Sequence, residues 1–109
     1  MSLRYQIAQK IHACTEVYAD GRENDRFRDL IDLQLLAGLV ADEDWAGIRV
    51  ACLEVFEGRV KHPWPPSVTI YESWSAGYRS LAEQTQFSVV DVRDAADAVH
   101  QLIARIHTS

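Results

Sequence analysis

The sequence predicts an all-α protein in which residues 1–109 form a single domain of about five helices. Apolar residues recur at helical spacing along most of the chain, and polar or proline-containing segments separate these stretches. The composition, 48% apolar and 25% charged, is typical of a globular protein rather than a disordered one. A length of 109 residues allows one hydrophobic core and is near the small end of the range for domains.

The charge balance and the cysteines argue against several classes of protein. A formal net charge of −5 and a pI near 5.2 disfavour general nucleic-acid binding, which requires a basic face. No apolar run is long enough to cross a membrane and no signal-peptide pattern occurs, so we expect a cytoplasmic protein without a membrane partner. Cys14 and Cys52 lie in apolar helical patterns without CxxC or Cys/His spacing, which predicts two buried thiols and no metal site.

The first helix is predicted over residues 3–18, because five apolar residues recur on one face: Leu3, Ile7, Ile11, Cys14 and Tyr18. Lys10 borders that face, where a lysine usually lays its stem on the core and its ammonium group in water. His12 is predicted to point away from the face as an ordinary surface histidine.

The second helix is predicted to follow a polar turn and to run to about Val40, with Asn24 or Asp25 as its N-cap. Its second half is apolar nearly all round, which indicates a buried helix. Asp29 and Asp32 lie on this helix, and a buried carboxylate is costly unless a cation or hydrogen-bond donors meet it. We therefore expect other parts of the chain to supply partners for both carboxylates.

Three further helices are predicted. The third begins at the acidic run 42–44 and ends near Gly58, where basic residues suit the helix dipole. The stiff connector 63–66 follows, and we expect it to pack Trp64 onto the core. The fourth helix opens in capping-box form at Thr69, and the fifth opens in a similar pattern at Ser88.

One face of the fourth helix is aromatic. Its residues recur at helical spacing and are Tyr71, Trp74, Tyr78 and Leu81. Such a row can stack nucleic-acid bases, but at this spacing it more often packs in the core, and we expect the core role.

The first two helices carry the charged cluster from which a site is expected: Lys10, Arg22, Arg26, Arg28, Asp29 and Asp32. No nucleophile–base pair, glycine-rich phosphate loop or metal-ligand spacing occurs in the sequence. One interpretation is a structural charge network that locks the two helices together and includes Asp32 and Arg22. The other is an anion site, since three arginines near a helix N-terminus are easier to understand if an anion meets them. The residues alone favour the structural network.

Two motifs resemble those of the AbiEii/AbiGii-type nucleotidyltransferase toxins. Gln9-Lys10-Ile11-His12-Ala13 is similar to the family's EK-L-H-A helix, and Arg26-x-Arg28-Asp29-Leu30-x-Asp32-Leu33 is similar to its R-x-K-D-x-x-D-L segment. The later chain also resembles the family, with a helix that ends in 56–59, a proline-rich connector, and Trp74 and Tyr78 on an aromatic helix.

The resemblance implies transfer of a nucleotide from a nucleoside triphosphate to RNA or another acceptor, in a bacterial toxin–antitoxin or abortive-infection system. It implies catalytic roles for Asp29 and Lys10, and nucleotide binding by Lys10, Arg26 and Arg28. The sequence departs from the family pattern at Gln9, where Glu is usual, and at Arg28, where Lys is usual. Arginine keeps the charge of lysine but changes its reach and hydrogen-bond geometry.

The resemblance also implies a metal-binding half, with a Gly-Ser motif and an Asp pair, N-terminal to Lys10. Only nine residues precede Lys10. We therefore expect the helical C-terminal portion of such a toxin, inactive by itself and either shortened or the product of a degenerate gene. Mg²⁺ and the nucleoside triphosphate are expected to bind only when it is joined to a catalytic half.

Other partners are compatible with the same sequence. The resemblance implies an antitoxin protein, and a face exposed by loss of the catalytic half favours a homodimer. The alternative function is therefore a stand-alone helical module for protein interaction or dimerisation.

Overall fold

The computed structural model describes residues 2–109 and contains five α-helices. They are α1 (Leu3–Thr15), α2 (Arg28–Ala37), α3 (Trp45–Arg59), α4 (Trp74–Gln84) and α5 (Val92–His107). A 3₁₀ turn, Asp42–Asp44, leads into α3, and no strand occurs within the described range. The predicted all-α fold of about five helices is confirmed.

Helix α1 is the centre of the molecule. It packs against α3 on one side and α2 on another, while α5 packs against both α2 and α3, and α4 lies against α5 and α2. Ile7, Ala8 and Ile11 of α1 are fully buried. Because α1 has neighbours on several sides, more of its surface is buried than the single apolar face in the sequence suggests.

The loop between α1 and α2 shortens both helices relative to the prediction. Helix α1 ends at Thr15, where the hydroxyl group donates to the carbonyl oxygen of Ile11 at 2.6 Å. Helix α2 begins at Arg28 with Phe27 at its N-cap position, and no side chain caps it. The predicted N-cap role of Asn24 or Asp25 is therefore wrong.

The starts of the last three helices also differ from the prediction. A 3₁₀ turn precedes Trp45, so α3 proper begins after the acidic run. Helix α4 begins at Trp74 rather than near Thr69. At α5 the N-cap is Asp91, whose side chain accepts from the backbone N–H groups of residues 93 and 94. This carboxylate caps two of the N–H groups that lack a partner within the helix, so the predicted cap at Ser88 is wrong.

Two residues of the predicted aromatic face lie in the core, whereas Tyr71, which precedes α4, and Leu81 are half-buried against it. Trp74 and Tyr78 are buried, and both polar groups are satisfied. Trp74 Nε1 donates to the carbonyl oxygen of Asn24 at 2.6 Å, and Tyr78 Oη donates to that of Val89 at 2.9 Å. Gly77 lies between them, and the Phe27 ring comes within 2.8 Å of the position that a Cβ would take.

The packing of the connector and the burial of the two cysteines match their predictions. Trp64 packs edge-on against Phe56, with ring centroids 5.4 Å apart. Cys14 and Cys52 are free and buried, and burial raises the pKa of each thiol to about 12. Both are therefore protonated and unreactive at neutral pH. None of the helices in residues 2–109 is both long and apolar enough to span a membrane.

Candidate functional site

The structure brings Lys10 of α1 together with two carboxylates of α2. Lys10 Nζ donates to Asp32 Oδ2 at 3.0 Å and lies 3.7 Å from Asp29 Oδ1. The Asp29 side chain is 4% exposed, whereas the side chains of Lys10 and Asp32 are 29% and 30% exposed. The ammonium group of Lys10 thus lies at the edge of the interface between α1 and α2, near the buried carboxylate of Asp29 and the partly exposed carboxylate of Asp32.

Arg26 also contacts Asp29. Its Nε donates to Asp29 Oδ2 at 2.9 Å and its Nη2 to Asp29 Oδ1 at 3.4 Å, and hydrogen bonding to Asp29 raises the pKa of the arginine. Asp29 therefore contacts two cations, which supply the compensation that a buried carboxylate requires. The four side chains Lys10, Arg26, Asp29 and Asp32 are called the charged network below.

Two predicted site residues lie outside the charged network. Arg22 Nε donates to Asp20 Oδ2 at 2.6 Å, and its guanidinium lies over the ring of Tyr18. Arg28 is exposed and lines a separate groove between α2 and α4, beside Ile31 and Leu35. Asp32, one helical turn after Arg28, also lines this groove, but it is Asp32 that contacts Lys10.

The charged network borders a cleft along the outer face of α1. The cleft has a volume of about 570 Å³. Its lining residues are Gln6, Gln9, Lys10, His12, Ala13, Glu16, Tyr18, Arg26 and Arg59. Three of them are cationic and one is a carboxylate, but Asp29 and Asp32 compensate the charges of Lys10 and Arg26. What the cleft offers an anionic ligand is therefore a set of oriented, charged N–H donors rather than a large excess of positive charge.

His12 forms part of the cleft wall and is only 2% exposed. The prediction of a surface histidine is wrong, because Phe56 and His62 cover the ring from outside α1, at centroid distances of 4.8 and 4.6 Å. Both residues come from sequence more than 40 positions away, so the periodicity of α1 carried no sign of them. The one indication in the sequence that His12 belongs to the site was its position two residues after Lys10 in the same motif.

Asn24 positions one side of the cleft and was missed as a site residue. Its Nδ2 donates to the carbonyl oxygens of Ala13 at 2.7 Å and Glu16 at 2.9 Å. Its Oδ1 accepts from the backbone N–H of Arg26 at 2.8 Å. One buried side chain therefore joins the end of α1 to the residue that contacts Asp29.

Comparison with known proteins identifies the family. The family model described as "Nucleotidyl transferase AbiEii toxin, Type IV TA system" matches residues 1–103, which include the charged network and the whole cleft. A comparison with curated proteins found no match. The family match covers nearly the full length of the sequence and agrees with the two motifs in α1 and α2. The chain therefore belongs to the AbiEii nucleotidyl transferase toxin family.

Proposed function

We propose that this chain supplies the helical, nucleotide-binding side of a nucleotidyltransferase toxin, with the triphosphate in the α1 cleft. The observation that carries the proposal is that Lys10 and Arg26, both from the family motifs, line the same cleft. Arg59 adds a third cation from the end of α3. Phosphate groups are bound in proteins chiefly by such positioned ammonium and guanidinium groups.

The carboxylates of α2 give the two cations fixed positions. Asp29 contacts both Lys10 and Arg26, and Asp32 contacts Lys10 alone. Donors that are already oriented lose little freedom when an anion arrives, which is the basis of electrostatic preorganisation. In this proposal Asp29 acts by positioning Lys10 and Arg26, and Asp32 supports Lys10 from the solvent side.

The same contacts do not suit a magnesium ion. Nucleotidyltransferases typically use Mg²⁺ held by carboxylates together with the triphosphate. Here Asp29 and Asp32 already face cations, and a metal ion would have to displace them. We propose that a separate catalytic half supplies the metal ligands, and that the residues described here transfer no nucleotide by themselves. Unlike the expectation from the sequence, the proposal has the α1 cleft bind the triphosphate without that half. We propose that the toxin acts in the cytoplasm and has an antitoxin protein as its partner.

Replacing Lys10 tests the nucleotide site. In Lys10→Gln the cleft loses a charged donor to phosphate, and we expect the affinity for nucleoside triphosphates to fall by about tenfold or more. Isothermal titration calorimetry with each ribonucleoside triphosphate measures the change, and far-UV circular dichroism checks that the variant is folded.

Arg28→Gln is the matched comparison, since Arg28 belongs to the same motif but lies outside the α1 cleft. If the triphosphate binds in the α1 cleft, Arg28→Gln should bind it with the same affinity as the wild type. Wild-type affinity in Lys10→Gln, or an equal loss in both variants, would contradict the proposed location.

A second candidate function, a helical interaction module, is favoured by exposed apolar side chains at the end of α2. Leu35 of α2 and Leu39, in the turn after the helix, are 56% and 69% exposed, and Leu35 borders the groove that Arg28 also lines. Exposed apolar side chains favour contact with another protein surface. We propose self-association through this end of α2.

Leu35→Lys should abolish this self-association by placing a charge in the contact. Val50→Lys is the matched control, because Val50 is 54% exposed but lies on α3. Sedimentation velocity over a range of protein concentrations measures the association. Self-association through Leu35 would be excluded if the wild-type protein stayed monomeric, or if Leu35→Lys and Val50→Lys associated to the same extent.

A further inference from the structure

The ring of Tyr18 lines the α1 cleft together with Lys10 and Arg26. The sequence predicted this residue on the apolar face of α1, but the helix ends at Thr15 and Tyr18 lies in the loop that follows. Its side chain is half-buried and lies outside the hydrophobic core of the described residues. Packing in the core therefore does not explain why an aromatic ring occupies this position.

A cation covers one side of the Tyr18 ring. The guanidinium carbon of Arg22 lies 5.0 Å from the ring centroid. Asp20 holds Arg22 there, because its carboxylate accepts from Arg22 Nε at 2.6 Å and from the Arg22 backbone N–H at 3.1 Å. The described residues that line the α1 cleft include Tyr18 but not Arg22. Arg22 thus covers the ring from outside the cleft and leaves the surface that borders the cleft open to a ligand.

The backbone is held on both sides of Tyr18. Before it, the carbonyl oxygen of Glu16 accepts from Asn24 Nδ2 at 2.9 Å. After it, a turn closes with the N–H of Gly21 donating to the carbonyl oxygen of Tyr18 at 3.3 Å. Gly21 has a φ of +84°, a conformation that glycine adopts without strain. The ring is therefore positioned before a ligand arrives, which reduces the entropic cost of a contact with it.

An aromatic ring beside cationic donors matches the two parts of a nucleotide. Nucleobases stack on aromatic side chains, whereas phosphate groups bind ammonium and guanidinium groups. Lys10 lies within α1, and Tyr18 lies three residues beyond the end of that helix, so the two side chains contact different parts of the cleft. The cleft volume of about 570 Å³ is within the range of about 300–1,000 Å³ that is typical of small-molecule sites.

We propose that Tyr18 stacks on the base of the nucleotide in the α1 cleft, while Lys10 and Arg26 bind its phosphate groups. The inference rests on the proposed nucleotide site and adds the contact that distinguishes a nucleoside triphosphate from an inorganic polyphosphate. Stacking requires only the flat face that every base has. We therefore expect all four ribonucleoside triphosphates to bind, and the two purine nucleotides to gain most because their ring systems are larger.

The test compares ATP with inorganic tripolyphosphate, which carries three linked phosphate groups and no nucleoside. In Tyr18→Leu, which keeps an apolar side chain but has no ring, we expect the affinity for ATP to fall about tenfold and that for tripolyphosphate to stay the same. Tyr18→Phe restores the ring and should recover the lost affinity for ATP. Tyr5→Leu is the matched control, because Tyr5 lies on α1 outside the cleft and contacts Glu54. Isothermal titration calorimetry measures the affinities.

A second measurement uses the wild-type protein and decides the question if Tyr18→Leu does not fold. The ring current of a stacked base shifts the NMR signals of the ring beneath it. The Tyr18 ring signals should therefore move upfield when ATP is added and should not do so when tripolyphosphate is added. Tyr5 and Tyr78, which lie outside the cleft, provide internal references in the same spectra.

An unchanged affinity for ATP in Tyr18→Leu, or an equal loss for ATP and tripolyphosphate, would overturn the inference. Tyr18 ring signals that do not respond to ATP would overturn it as well. In each case a lower affinity for both ligands in Lys10→Gln would leave the triphosphate site intact. ATP binding that is insensitive to Lys10→Gln would instead overturn the proposed function, and absence of ATP binding would overturn both.

Discussion

Asp29→Ala should lower the free energy of unfolding by about 3 kcal/mol. Removing one partner of a buried ion pair typically costs about 3–5 kcal/mol, because it leaves a charge without compensation. The Asp29 side chain is 4% exposed and contacts both Lys10 and Arg26. Those cations are themselves 29% and 49% exposed, so they can turn towards water, which places the expected loss at the lower end. Urea unfolding followed by circular dichroism measures it.

Asp25→Ala provides the control for that loss. Asp25 lies in the same segment, is exposed and makes none of the contacts of the charged network. Its replacement should leave the unfolding midpoint almost unchanged. A midpoint for Asp29→Ala equal to that of Asp25→Ala would mean that water already satisfies the Asp29 carboxylate, and the preorganisation argument would lose its basis.

Asn24→Ala should destabilise the fold by a similar amount, about 3–4 kcal/mol. The substitution removes donors to the carbonyl oxygens of Ala13 and Glu16 and an acceptor for the N–H of Arg26. Each buried group left without a partner costs about 1–3 kcal/mol, and partial access of water reduces the sum. The side chain is 1% exposed, so its packing is lost as well. Thermal and urea unfolding measure the effect.

Asn24→Asp separates hydrogen bonding from packing at this position. The aspartate has nearly the same shape, but it presents an oxygen to two carbonyl oxygens in place of a donor, so it should be at least as destabilising as alanine. A near-wild-type stability of Asn24→Asp would show that packing, rather than the donated hydrogen bonds, holds the loop. Weaker triphosphate binding in both variants is also expected, because the backbone of Arg26 is no longer held.

The fold was predictable to the level of helices because their signals are local. Apolar residues three and four positions apart identify the buried sides of α1, α4 and α5 without knowledge of their neighbours. Helix ends were less predictable. Asn24 has the chemistry of an N-cap, but it caps the carbonyl end of the preceding helix instead. The fifth helix was predicted to open at Ser88, but the path of the backbone places the N-cap three residues later, at Asp91.

The candidate site was likewise only partly predictable from the sequence. A buried Asp29 on an apolar helix required cations, and the sequence offered Lys10, Arg22, Arg26 and Arg28. The structure pairs the carboxylate with Lys10 and Arg26. The placement of Arg28 outside the α1 cleft depends on the rotation of α2 against α1 and α4, which no single helix specifies. Rotation about the helix axis changes by about 100° per residue, so neighbouring motif residues can face different surfaces.

The sequence by itself determined the number of helices, the core sides of most of them, the need for cations at Asp29 and the resemblance that the family match confirms. Only the tertiary structure decided that His12 is buried, that Asn24 joins α1 to Arg26, and that Arg59 completes the cleft. The physical reason is distance along the chain. Periodicity reports the environment created by residues within a few turns, whereas His12 is covered by Phe56 and His62, which only the packed fold brings to it.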